Sequence, residues 1–172
     1  AITAINAMDA AARPHHFLGI NVNGQAAIVS TTGNPDGHLV LRGGKGGTNY
    51  HPEAVEQAAA QLAKAGLPAR VMVDCSHGNS NKDYRRQSAV ASAVAEQLRA
   101  GSSQVMGVML ESHLVAGSQK IPTDLCQLHR STLTYGQSIT DACIDLTTTA
   151  DALDSLAQAV CQGQLAASLQ PA

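Results

Sequence analysis

Three apolar runs in this chain stop on a residue able to bind an ion. His38-Leu39-Val40-Leu41 ends at Arg42, Val71-Met72-Val73-Asp74-Cys75 is followed two residues on by His77, and Val108-Met109-Leu110 ends at Glu111. An arginine fork beside Gly43-Gly44 suits a phosphate or a carboxylate, because glycine lets backbone amides come close to an anion. His77 and Glu111 offer a nitrogen and an oxygen to a divalent cation, and Asp141, in the conspicuously polar patch of the following loop, offers a second oxygen. Taken singly, each has an ordinary explanation: a surface arginine, a core-edge histidine, a solvated strand end. Together they sit where parallel α/β folds bind ligands, at the carboxyl ends of successive strands. His113, two residues past Glu111, can point to the same side and is a competing ligand. His15 and His16 precede the first strand and read as surface histidines. Cys75 reads as a small buried side chain, and Cys126, Cys143 and Cys161 have no metal-like neighbours.

The elements that position these residues follow from hydropathy. Ile2, Ile5 and Met8 make a helical stripe over residues 1–12, ended by Arg13-Pro14; it begins without a capping residue, so upstream chain is expected to have been removed. Residues 17–20 read as a short buried strand, and residues 20–30, turning at Asn23-Gly24, as a hairpin. Strands follow at residues 38–42, 70–75 and 105–110. Helices are expected at residues 52–65, with Pro52 in the first turn and Gly66 as its stop, and at residues 80–99, opened by Ser80 and Asp83. Residues 115–147 are weakly patterned. Thr148 and Asp151 are expected to cap a last helix that stops near Gly163, leaving residues 164–172 as a frayed tail. Apolar strands alternating with amphipathic helices mean parallel βα units, four of them, and the whole of residues 1–172 forms one domain. Arg42-Gly43-Gly44-Lys45-Gly46-Gly47 does not open a helix, so a dinucleotide-binding turn is disfavoured.

Composition narrows the function. The 172 residues are 44% hydrophobic and 14% charged, with net charge −2 and no basic cluster longer than Arg85-Arg86, so a nucleic-acid partner is not expected. Apolar runs are too short for a membrane span. The four cysteines at irregular spacing, without a CxxC, point to a reduced, cytoplasmic protein.

HLVLRGGK, VMVDCSHGNSNK, GVMLESHLVAGSQ and LTYGQSITDACI, in this order, resemble the signatures of the C-terminal half of the type I 3-deoxy-D-arabino-heptulosonate-7-phosphate (DAHP) synthases, over about residues 5–163. The resemblance implies part of a (β/α)8 TIM barrel, about four βα units with an inserted β-hairpin. It implies an enzyme that condenses phosphoenolpyruvate with erythrose 4-phosphate, the first step of the shikimate pathway to aromatic amino acids. By the same resemblance His77, Glu111 and Asp141 fall on ligands of a divalent metal, Mn2+ or similar, and Arg42 on a phosphoenolpyruvate-binding arginine. Phe17, Gly19 and Val29 fall on the site of an aromatic amino acid effector, and the missing side chain of Gly19 favours tryptophan over phenylalanine or tyrosine. The family's fourth ligand, a cysteine of the N-terminal half, has no counterpart here, nor do most lysines and arginines for its two phosphates. The chain is therefore expected to open inside the fourth barrel helix and to be nearly inactive alone. Unpaired strand edges at residues 17–20 and 105–110 predict a homo-oligomer. Two other functions fit some of the residues: a non-catalytic half-barrel that binds an aromatic effector or assembles with a partner half, and the sister chemistry of the 8-phosphate octulosonate synthases.

Overall fold

The computed structural model describes residues 2–124, 126 and 128–168. In chain order the elements are helix α1 (Ile2–Ala11), strands β1 (His16–Ile20), β2 (Ala26–Ser30) and β3 (Leu39–Leu41), helix α2 (Pro52–Lys64), strand β4 (Val71–Asp74), a 3-10 turn (Tyr84–Arg86), helix α3 (Gln87–Arg99), strands β5 (Val105–Met109) and β6 (Val115–Ser118), a second 3-10 turn (Arg130–Thr132), strand β7 (Gln137–Ser138) and helix α4 (Leu146–Ser168). It is an α/β fold in which β3, β4 and β5 form a parallel sheet in that order, with α2 and α3 as the crossovers. Leu41 lies opposite Val73, and beyond an irregularity Asp74 lies opposite Met109, so the ends of the three strands are level.

One face of this sheet makes the core. Leu39, Leu41, Val71 and Val73 alternate toward Val55 and Leu62 of α2 and Val90 and Val94 of α3, all at most 5% exposed. The opposite face is less covered: Val40 and Met72 are half-buried, and Met109 is 40% exposed. Both crossover helices end in a Schellman motif on glycine. Gly66 at φ 72 and Gly101 at φ 90 allow Leu67 N–H and Ser102 N–H to reach back to the carbonyls of Leu62 and Gln97, each at 3.0 Å.

The structure departs from the sequence expectations in four places. Residues 17–20 are neither buried nor an edge of the parallel sheet. They pair antiparallel with β2 alone, leaving Leu18 78% and Ile20 76% exposed, because among the described residues no second layer covers this hairpin. The first of the four expected parallel units is thus absent from the sheet, whose free edges are β3 and β5; past the end of β5, Ser112 makes one parallel bridge to Ile144. Helix α3 starts at Gln87 rather than Ser80, since Asn81 and Lys82 adopt left-handed backbone, φ 53 and 61, and Asp83 caps the intervening 3-10 turn through Arg85 N–H. Helix α4 is capped by Asp145, which accepts Thr148 N–H at 2.8 Å, and it runs through Gly163 to Ser168. Residues 164–168 are therefore helical, and the last four positions of the expected frayed tail lie outside the described residues. The weakly patterned stretch also contains a short parallel pair, β6 with β7.

The cap has a pH signature. The side-chain and backbone hydrogen bonds from Thr148 hold the Asp145 carboxyl below its usual 3.8. A depressed carboxyl contributes stability that is fully present above the unfolded value and is lost as pH falls through the folded one. Asp145→Ala is expected to lower the urea midpoint at pH 7, and the gap from wild type is expected to narrow below pH 3.8; a gap independent of pH would contradict the assignment.

Candidate metal centre

The loops that follow β3 and β4 are sewn together by backbone, and this places the candidate site. A Cβ at Gly43 (φ 69) would lie 2.6 Å from the Gly78 carbonyl carbon, and one at Gly78 would lie 2.8 Å from that of Gly43. The glycine of Arg42-Gly43 therefore serves a loop-loop contact, with Gly78 N–H donating to Arg42 O at 3.1 Å. Asn79, 1% exposed, completes the seam: its amide donates to Leu41 O at 3.0 Å and Asp74 O at 2.8 Å, while its oxygen accepts Asn49 N–H at 2.8 Å. Held this way, His77 takes a left-handed backbone, φ 48, which a non-glycine residue adopts only under constraint.

His77, Glu111 and Asp141 each offer one ligand atom, and these atoms all lie within 4.8 Å of one another. That span is close to the distance across the coordination sphere of a small divalent cation, about 4 Å. His77 Nε2 faces Glu111 Oε1 at 3.5 Å, and the other Glu111 oxygen accepts the Ser76 hydroxyl. The main chain of Glu111 is held by Gln87, a fully buried side chain whose amide accepts Glu111 N–H at 2.8 Å and donates to Glu111 O at 3.1 Å, as a neighbouring strand would. Arg42 joins through Asp74: its Nε lies 3.6 Å from Asp74 Oδ2, with the arginine largely exposed and the carboxylate buried. One nitrogen and two oxygens at the mouth of a parallel sheet are a donor set that could hold a divalent cation, with the Arg42 guanidinium beside it.

Of the other candidates, His113 is exposed and does not join the cluster; its Nδ1 accepts Leu114 N–H at 2.8 Å. His15 and His16 lie on the hairpin, bonded to Arg13 O and Ser30 Oγ. Burial, and secondarily the neighbouring Asp74, push the Cys75 thiol up to about 12, so it is an inert core side chain. Phe17, Gly19 and Val29 do share one hairpin face, with Val29 Cγ2 filling the space at Gly19, 2.8 Å from where a Cβ would sit. Asp74, Ser76 and Gln87 are the site residues that sequence reading passed over. Gln87 was detectable as the polar member of the 87-90-94 stripe.

The Gln87 clamp predicts a stability effect. Gln87→Leu keeps much of the volume but leaves the Glu111 N–H and carbonyl without their partner, at a cost of about 1–3 kcal/mol. Urea denaturation checks it, and an unchanged midpoint would show that water replaces the amide.

The chain is similar to known proteins over most of its length. A family model described as the DAHP synthetase I family matches residues 1–154. A Tyr-sensitive phospho-2-dehydro-3-deoxyheptonate aldolase of Enterobacter agglomerans is 50% identical over 167 residues, covering 97% of this chain and 75% of that protein. The Tyr-sensitive aldolase of Escherichia coli K12 is 54% identical over 142 residues, covering 83% of this chain and 38% of that protein. A solved Francisella tularensis phospho-2-dehydro-3-deoxyheptonate aldolase superposes with TM-score 0.81 at 43% identity, over 92% of this chain and 44% of that one. The chain thus spans less than half the length of the latter two. With the family model matching most of its length, the chain belongs to the DAHP synthetase I family.

Proposed function

We propose that this chain forms part of a DAHP synthase that joins phosphoenolpyruvate to erythrose 4-phosphate. The observation that supports this best is the convergence of His77, Glu111 and Asp141, with Arg42 tied to the same cluster through Asp74. In the balanced reaction C3 of the enolpyruvate bonds to the aldehyde carbon, water adds at C2, and inorganic phosphate leaves. Arg42 holds the phosphate or carboxylate of phosphoenolpyruvate with its planar fork of N–H donors. His77, Glu111 and Asp141 would hold the divalent metal, Mn2+ or similar, which when bound supplies Lewis-acid polarisation of a carbonyl. The less covered sheet face, with Val40, Met72 and Met109, fits the interior of a (β/α)8 barrel of which this chain supplies a part, in a cytoplasmic enzyme.

Regulation fits the same reading. Relatives bear the names Tyr-sensitive and phenylalanine-inhibited, and the face shared by Phe17, Gly19 and Val29 suits an aromatic amino acid. Because Val29 Cγ2 occupies the space at Gly19, the absent side chain gives tryptophan no extra room; calorimetric titration with tryptophan, tyrosine and phenylalanine ranks the three. The exposed Leu18, Ile20 and Ile28 and the free sheet edges favour self-association, which a monodisperse monomer in sedimentation would overturn.

The deciding experiment follows phosphoenolpyruvate consumption with erythrose 4-phosphate and Mn2+. It is run on the chain alone and on the chain mixed with the part of the Escherichia coli relative that it does not cover, each with and without His77→Ala. Turnover on mixing that the substitution abolishes supports the proposal. Turnover indifferent to His77, or none with both parts folded, overturns it.

A further inference from the structure

Asp74 is 1% exposed, yet the proposed reaction gives it no task. Each of its oxygens is engaged. Oδ1 accepts Ser76 N–H at 2.8 Å; Oδ2 lies 2.8 Å from His77 Nδ1 and 3.6 Å from Arg42 Nε. An ionised carboxylate can only accept, so the proton between Asp74 and His77 must sit on Nδ1. In the neutral ring that leaves Nε2 as a bare lone pair, and Nε2 is the nitrogen turned toward Glu111, at 3.5 Å. Two electron-rich atoms facing each other call for a cation between them, or for a proton on Nε2.

We infer that Asp74 is a positioning residue that fixes His77 as the Nδ1–H tautomer and so aims the Nε2 lone pair at the cation. This rests on the metal reading above and adds a residue that touches neither metal nor substrate. The anchoring is local and rigid: Asp74 ends a buried strand, its main-chain carbonyl is held by Asn79, and the neighbouring Arg42 offsets its charge. Asp74→Asn makes a sharp probe. If the amide oxygen keeps Ser76 N–H, the NH2 group faces His77 Nδ1, donates to it and drives the proton to Nε2, where it blocks ligation.

The test is nitrogen-15 NMR of His77 in the metal-free 172-residue chain at a pH where the ring is neutral, together with calorimetric titration by Mn2+. Wild type is expected to show the Nδ1–H tautomer. Asp74→Asn is expected to show Nε2–H and to bind Mn2+ about 10- to 100-fold more weakly. A structural role alone would lower the melting temperature without changing the tautomer. Nε2–H in wild type overturns the inference, as does an Asp74→Asn chain that binds Mn2+ like wild type. Should that variant not fold, the wild-type spectrum still decides. Should wild type bind no Mn2+, the metal reading fails, while the tautomer stands or falls on its own spectrum.

Discussion

His77→Ala is expected to abolish the stabilisation of this chain by Mn2+. A ligand present at about 100 times its dissociation constant stabilises a folded protein by about 2.7 kcal/mol, which for a domain of this size raises the melting temperature by roughly 5–11 °C. Loss of a partner that merely orients a ligand weakens metal binding about 10- to 100-fold, and loss of the ligand itself must exceed that. The shift should then disappear at the same Mn2+ concentration. The metal-free protein should change little: Asp74 keeps Ser76 N–H and Arg42, and Gln87 still holds the Glu111 main chain. His113→Ala is the control, since His113 is exposed and its Nδ1 is taken by Leu114 N–H, and it should leave the shift intact. Thermal unfolding with and without Mn2+ decides. A His77→Ala chain that still shows the full shift would place the cation elsewhere.

His77 and Glu111 could be read before the fold because each terminates or follows a distinct apolar run, and strand ends are where a parallel sheet gathers side chains. That Asp141 joins them, from a loop with little patterning, came from the resemblance and from its polar neighbours rather than from periodicity. What escaped the sequence were contacts between loops. Asp74 looked like the last residue of a strand, although a carboxylate directly after Val71-Met72-Val73 is costly unless something pairs with it. Gly43 suggested anion binding, but its missing Cβ admits the Gly78 backbone, a contact that no local pattern encodes. The start of α3 was misplaced because Ser80 and Asp83 have capping-box spacing, while the left-handed backbone at Asn81 and Lys82 is imposed by the loop that presents His77. Hairpin residues 17–20 look like core by composition alone; their exposure depends on what lies over them, which is a tertiary matter.

Gly163→Ala should destabilise the protein where helix propensity says the opposite. In an exposed helix interior, alanine is about 1 kcal/mol better than glycine. Position 163 lies inside α4, buried against the end of α3, and a Cβ there would stand 2.2 Å from the Leu98 carbonyl oxygen. That oxygen cannot swing aside as a side-chain tip would, because it belongs to the α3 main chain and accepts Gly101 N–H in the Schellman turn. The two helices must move apart, and the interface they share is large, with Leu156 and Ala159 of α4 in the same core as Val90 and Val94 of α3. Overpacking of this kind costs about 1–3 kcal/mol, and parting the helix pair also weakens the dispersion attraction between the side chains packed along it. Urea denaturation should therefore show a net loss of about 1–2 kcal/mol after the propensity gain is subtracted, and Gly163→Ser should be no better, because its Cβ meets the same oxygen. The Arg99 to Gln162 hydrogen bond, now 2.6 Å, would break with the separation, so Arg99→Ala should cost less in the Gly163→Ala background than in wild type. A Gly163→Ala chain as stable as wild type would mean that α4 can slide along α3 without loss.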